Sequence, residues 1–167
     1  MQKVSKSRIG WAYLFFLLFA SLIVALDQLS KAWIRSNLAV GQSLPETGFF
    51  QITHVQNTGA AFGLFQDQAT TLTIIALVGF LALLVYALFI HYRLPFSHKR
   101  LGWFTLGLIL GGIVGNLTDR LRFGYVTDFI DVGIWPAFNL ADSALVVGVI
   151  IIAYSFLSLA RVRDGQP

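Results

Sequence analysis

The chain has 167 residues, of which 56% are apolar and only 12% charged, and its mean hydropathy is +0.73. Soluble domains carry about 25% charged residues, so this chain has too few to coat a water-facing globule and its apolar excess must face lipid. The absence of cysteine excludes disulfides, thiolate nucleophiles, cysteine–metal sites and lipid attachment through cysteine, and the net charge of +4 is too unevenly placed to point to nucleic acid.

Four charge-free runs are long enough to cross a hydrocarbon core of about 30 Å, which takes about 20 helical residues. They cover 9–26, 71–90, 101–118 and 143–160. None alternates as a barrel strand would, and backbone groups in lipid must be paired within the segment, so all four are expected to be helices. Basic Lys3, Lys6 and Arg8 ahead of the first run also suit a signal peptide. The run is long for that, however, and no A-x-A site precedes Asp27, so an uncleaved helix is expected. At its end Asp27 and Lys31, four apart, read as a helical pair at the rim of a site, with Lys31 snorkelling outward.

The connection from Ser30 to Thr70 is long and patterned. Phe50, Ile52, His54 and Gln56 alternate with Gln51, Thr53 and Val55, which predicts a strand, and Asn57-Thr58-Gly59 supplies turn chemistry. A small sheet-like platform is expected there. By contrast, the link from His91 to Arg100 is short and broken by Pro95, as between antiparallel helices. In the third run Gly107, Gly111 and Gly115 recur every four residues, a stripe that lets helices pack closely in lipid. Gly112 lies off that stripe and could face a substrate groove. Trp103 and His98 read as interfacial anchors.

Eight of the twelve basic residues and one acid fall on the side of the two termini and the 91–100 link, while four basic residues and seven acids fall on the other. Positive residues stay in the cytosol, so both termini are expected to be cytosolic and the acidic side extracytoplasmic. The expectation is an all-α membrane protein with four transmembrane helices over about 9–29, 71–91, 101–119 and 140–160. It forms a single domain over 1–167, with a small β-rich cradle outside.

Ionisable groups in membrane helices are costly and call for a reason. Asp27, Asp119, Arg120 and Asp142 all fall at the outer edge of the expected bilayer. Asp128 and Asp142 are separated by a short segment that could fold back and bring them together. Two carboxylates within reach of one water can share a proton and hydrolyse a peptide bond, with one as base and the other polarising the carbonyl. Asn139 followed three residues later by Asp142 also looks like a helix N-cap with an acid in the first turn, and the two readings are compatible. Asp128 precedes no apolar run and has no capping role. Asp119 and Arg122 are spaced as a helical pair, and Asp131 reads as a solvated loop acid. Only His54 lies on the outer side and H-E-x-x-H is absent, which disfavours a zinc protease. Ser143, or Ser30 with Lys31, could be imagined as a serine–lysine dyad, but Ser30 and Lys31 are adjacent on a helix and diverge.

The blocks Asp27-Gln28-Leu29-Ser30-Lys31, Asn57-Thr58-Gly59-Ala60-Ala61-Phe62, Gly115-Asn116-Leu117-Thr118-Asp119-Arg120, Val126-Thr127-Asp128-Phe129 and Phe138-Asn139-Leu140-Ala141-Asp142-Ser143 together resemble bacterial lipoprotein signal peptidase (signal peptidase II). The resemblance runs in order over nearly the whole chain. It implies an intramembrane aspartic endopeptidase of the bacterial inner membrane, removing signal peptides from prolipoproteins just before a diacylglyceryl-modified cysteine. It implies Asp128 and Asp142 as the catalytic pair, and Asp27, Lys31, Asn57, Gly59, Gly112, Asn116, Arg120 and Asn139 as positions lining the site. Residues 49–65 would form the outer cradle, and globomycin would be an inhibitor. No cofactor, metal or nucleic-acid partner is implied; membrane lipid is a partner and a monomer is expected. Arg120 with Asn57 or Asn139 is expected to hold the peptide carbonyls. The alternative of another class is a small proton-coupled transporter, which predicts polar residues through the full membrane depth rather than at one edge.

Overall fold

The computed structural model describes residues 6–59, 68–90 and 100–163. The 91–99 part of the second link, including Pro95 and His98, the Ala60-Ala61-Phe62 part of the second block and the far part of the expected cradle lie outside them. Among the described residues four helices form: α1 (Lys6–Asn37), α2 (Ala69–Val85, prolonged by a π turn over Tyr86–Ile90), α3 (Arg100–Phe123) and α4 (Leu140–Arg163). All four are long and apolar enough to span a membrane. A three-stranded antiparallel sheet, in the order β1 (Ser43–Leu44), β2 (Gln51–Asn57) and β3 (Val126–Asp131), sits at the end of the bundle where α1 and α3 finish and α4 starts.

α3 is the hub. Two-thirds of its apolar window is buried inside the protein, against 17% or less for the other three. The remaining helices turn Leu, Ile and Val outward, among them Ile74, Ile75 and Val78 of α2 and Val149, Ile150 and Leu157 of α4. In water these faces would be untenable; in lipid they need no partner.

The glycines of α3 explain its close packing. A Cβ on Gly107 would lie 2.9 Å from the Phe16 carbonyl of α1, and one on Gly111 would lie 2.7 Å from Ile23 Cβ. The expected stripe is therefore the seam with α1. Gly112 differs from expectation: a Cβ there would meet the Ala141 carbonyl at 2.5 Å and Leu145 at 2.6 Å. It is the seam with α4 and faces no groove, because the fourth-residue stripe and its off-stripe neighbour serve two different helices.

Two apolar clusters hold the ends. Far from the sheet, Phe16, Ala20, Trp103, Leu106 and Leu110 pack with Ala87 of the π turn, and Trp103 meets Tyr13 and Phe16 edge-on at 5.1 and 6.1 Å. Trp103 is thus a core residue and not an interfacial anchor. Under the sheet, Ile34 of α1 and Leu38, just past its end, pack on Phe129 of β3. This contact is why α1 does not stop near residue 29 as its charges suggest: the helix runs on to Asn37, and Ile34 and Leu38 gain a core.

Between the hub and α4, α3 ends at Gly124, whose φ of +78° suits a glycine cap and whose N–H bonds the Arg120 carbonyl at 3.0 Å. β3 then pairs with β2, setting Val55 opposite Asp128 and Asn57 opposite Val126, with an irregularity between Ile52 and Val55. The strand expected from the 50–56 alternation is β2. The segment after β3 does fold back, with Phe138 and Ile130 exchanging backbone hydrogen bonds at 3.0 and 2.8 Å. Asp131 ends β3 and accepts the Gly133 N–H at 2.7 Å in an exposed turn.

Overpacking a helix seam costs about 1–3 kcal/mol. Gly111→Val is expected to lower the thermal unfolding temperature in detergent, while Gly79→Val on α2, where no heavy atom lies within 4 Å, moves it far less.

Candidate active site

The core of the site is a buried charge cluster where α1 meets α3. Lys31 is wholly buried. Its Nζ lies 2.9 Å from Asp27 Oδ2 and 3.4 Å from Asp119 Oδ2, and donates to Asn116 Oδ1 at 2.9 Å. The outward snorkelling expected of Lys31 does not occur, because α3 presents an acid and an amide at the height of the ammonium. Nor does Asp27 end the helix: it lies within α1 and accepts the Ala141 N–H at 3.0 Å, docking the start of α4. Gly115 makes room for it, since a Cβ there would lie 2.7 Å from Asp27 Oδ2.

Asp119 is the second anchor and does not pair with Arg122. It accepts from Gln28 Nε2 at 3.1 Å, from Arg35 Nη1 at 3.5 Å and from the Thr127 N–H at 2.9 Å. Gln28, Arg35 and Thr127 were not singled out from sequence. The recurrence of polar Asp27, Gln28, Lys31 and Arg35 on one helical face of an otherwise apolar segment was the available signal.

Asn116 carries the cluster outward. Its Oδ1 takes Lys31 and Asn139 Nδ2, the latter at 3.1 Å, while its Nδ2 donates to Asp142 Oδ1 at 2.7 Å. Asn139 is the cap of α4 in a reciprocal box: the Asp142 N–H donates to Asn139 Oδ1 at 2.9 Å, and the Asn139 N–H donates to Asp142 Oδ2 at 3.2 Å. Its Nδ2 also donates to Asp128 Oδ1 at 2.6 Å. Asn57 closes the ring, donating Nδ2 to Asp128 Oδ2 at 2.9 Å and accepting the Gly59 N–H at 2.9 Å.

Asp128 and Asp142 therefore hang from one residue, Asn139, and line one cavity of about 650 Å³ together with Asn57, Gly59, Asn116 and Arg120. Burial pushes the Asp128 carboxyl up to about 7, helped by the Asp142 charge and opposed by the Asn57 and Asn139 hydrogen bonds. Asn139 Nδ2 donates to both Asp128 and Asn116, which uses its two N–H groups, whereas Asn57 Nδ2 places one of its two N–H groups on Asp128. Arg120 lines the cavity within electrostatic reach of Asp142, Asp128 and Asp119. Serine chemistry finds no support: Ser30 Oγ donates to the Leu26 carbonyl at 2.8 Å and Ser143 Oγ to the Asn139 carbonyl at 2.9 Å.

Of the sequence-derived site residues, the structure brings Asp128, Asp142, Asn57, Gly59, Asn116 and Arg120 to the cavity and Asn139 between its carboxylates. It places Asp27 and Lys31 beneath them, and Gly112 in a helix seam.

A family model described as signal peptidase (SPase) II matches residues 19–158. A protein of Dehalococcoides mccartyi named lipoprotein signal peptidase is 57% identical over 124 residues, covering 74% of this chain and 77% of that one. One of the same name from Moorella thermoacetica is 46% identical over 153 residues, covering 91% and 99%. Two solved structures, each titled a bacterial membrane enzyme, superpose with TM-scores of 0.75 and 0.73 at 33% and 32% identity; they cover 86% and 85% of this chain and 87% and 92% of theirs. The transporter alternative finds no support among these relatives.

Removing one partner from a buried ionic cluster costs about 3–5 kcal/mol. Lys31→Met, which leaves Asp27 and Asp119 facing each other without the ammonium, is expected to lower the unfolding free energy by about that amount; chemical denaturation in detergent measures it.

Proposed function

The chain belongs to the signal peptidase II family of multi-pass membrane peptidases that remove signal peptides from prolipoproteins, and on that premise we propose that it does so as an aspartic endopeptidase with Asp128 and Asp142 as its catalytic pair. The observation that carries this reading is the suspension of both carboxylates from Asn139 at the wall of one cavity.

The electrostatics favour a shared proton. Beneath the cavity two cations, Lys31 and Arg35, face two acids, Asp27 and Asp119, and balance. At the cavity Arg120 faces two carboxylates, so binding one proton makes the site neutral. The raised Asp128 is the natural holder of that proton below pH 7. In the reading proposed here, protonated Asp128 polarises the scissile carbonyl while ionised Asp142, held by Asn116 and the Asn139 N–H, takes a proton from the attacking water. Arg120 offers donors to a neighbouring peptide carbonyl. Asn57, Asn139 and Asn116 hold the carboxylates, Gly59 gives the turn beside Asn57, and Asp27 and Lys31 support the floor.

The bond cut is the one before a diacylglyceryl-modified cysteine. The acyl chains stay in the bilayer beside exposed Val146 and Val147 of α4, which also line the cavity. A signal-peptide helix enters laterally from lipid. This reading takes the whole chain as one domain in the bacterial inner membrane, with cytosolic termini and the site at the extracytoplasmic face. It acts as a monomer, without cofactor or nucleic acid, with globomycin as an inhibitor.

Asp128→Asn and Asp142→Asn are each expected to abolish signal-peptide release from a diacylated prolipoprotein by the purified protein in detergent, with insertion unchanged. Retained cleavage in either variant sinks the dyad. The rate should also fall as pH rises through about 7, because an ionised Asp128 can no longer donate; a pH–rate profile checks it. The same raised ionisation means that the wild type loses stability between pH 4 and 7 as the buried charge forms, and Asp128→Asn loses less over that range.

A further inference from the structure

We propose that Arg35 is a positioning residue for this reaction: it grips Thr127 and thereby holds β3 where Asp128 can face Asp142. The inference rests on the aspartic reading above.

Arg35 stands two turns beyond Asp27 on the extension of α1 that lipid-crossing length alone does not require. Its head group makes three contacts there. Nη1 donates to Thr127 Oγ1 at 2.9 Å and reaches Asp119 Oδ1 at 3.5 Å, while Cζ lies 4.5 Å from the centroid of the Phe123 ring at the end of α3. One planar cation thus ties together α1, α3 and β3, which a point charge cannot do as well.

Thr127 is wholly buried and is held at each of its polar groups. Its N–H goes to Asp119, its hydroxyl to Arg35, and its carbonyl accepts Asn139 Nδ2 at 3.5 Å. The next residue is Asp128, and the same Asn139 amide holds its Oδ1. A displacement of Thr127 therefore moves Asp128 relative to Asp142, while the walls that α3 and α4 give the cavity, among them Asn116, Arg120, Leu145 and Val146, stay in place. Misplacing a reacting group by about 1 Å can cost about 100-fold in rate. Loss of Arg35 should accordingly appear in kcat and leave KM alone.

The test is steady-state cleavage of a diacylglyceryl-modified prolipoprotein by purified full-length variants in detergent. Arg35→Met is expected to lower kcat by about 10- to 100-fold with KM within about twofold. Arg35→Lys recovers a large part of it, since an ammonium still reaches Thr127. Thr127→Val is expected to lower kcat in the same way, and the double variant to be no worse than the worse single one, because the two side chains act through one contact. A kcat within twofold of wild type in Arg35→Met, a change confined to KM, or losses that multiply in the double variant would overturn the proposal. Should Arg35→Met fail to fold, Thr127→Val decides by the same split. Asp128→Asn, run alongside, separates the two failures: activity there sinks the dyad itself, whereas an inactive Asp128→Asn beside a fully active Arg35→Met sinks only the role of Arg35.

Discussion

The ammonium of Lys31 has no access to water, and the arrangement around it follows from that. A charge in so apolar a place is tolerable only with opposite charge and hydrogen-bond acceptors at contact distance. α1 supplies Asp27 one turn away, and α3 supplies Asp119 and Asn116. Satisfying one cation thus sets the height of α1 against α3. Asp27 then accepts the Ala141 N–H on its other oxygen, and Asp119 accepts the Thr127 N–H on the oxygen that faces Lys31, which locates the start of α4 and the middle of β3. Those two segments carry Asp142 and Asp128.

Above this floor the two bridging amides work as rigid spacers. Asn116 and Asn139 each use both ends of the side chain, so that the ammonium, one amide, the other amide and both carboxylates form a connected array. Fully satisfied buried networks hold a single geometry, because any rotation leaves a buried polar group unpaired. Asn139 belongs simultaneously to the helix cap and to the carboxylate pair, so the start of α4 and the separation of the carboxylates are set together. The reading of Asn139 as a cap and the reading of Asp142 as a reacting acid describe one structure.

Much of this was legible without coordinates. Four uninterrupted apolar runs admit only helices in lipid, and the period-two pattern after Phe49 gave β2. Asn139 and Asp142 at cap spacing marked the start of α4, and the clustering of acids at one depth marked the level of the site. Local pairing was a partial guide. Asp27 and Lys31 satisfy the helical spacing rule and do pair, whereas Asp119 and Arg122 satisfy it and do not, because the rule treats each helix as if alone. The structure also uses Lys31 and Asp119 between helices, where the low dielectric makes a partner worth more than solvent does. Gly112 was misjudged for a related reason: spacing identifies a glycine face but not which neighbour occupies it.

The sequence by itself determined what each segment must be, because membrane crossing, capping and strand alternation depend on neighbours a few residues away and on the surrounding solvent. Only the tertiary structure decided which side chains meet. Lys31 and Asn116 are 85 positions apart, Asn57 and Asp128 are 71 apart, and Asp27 and Ala141 are 114 apart. Contacts at such separations leave no periodic trace in the chain; they exist because close glycine seams bring three helices and a strand to one point, and buried charge allows them few other ways to meet.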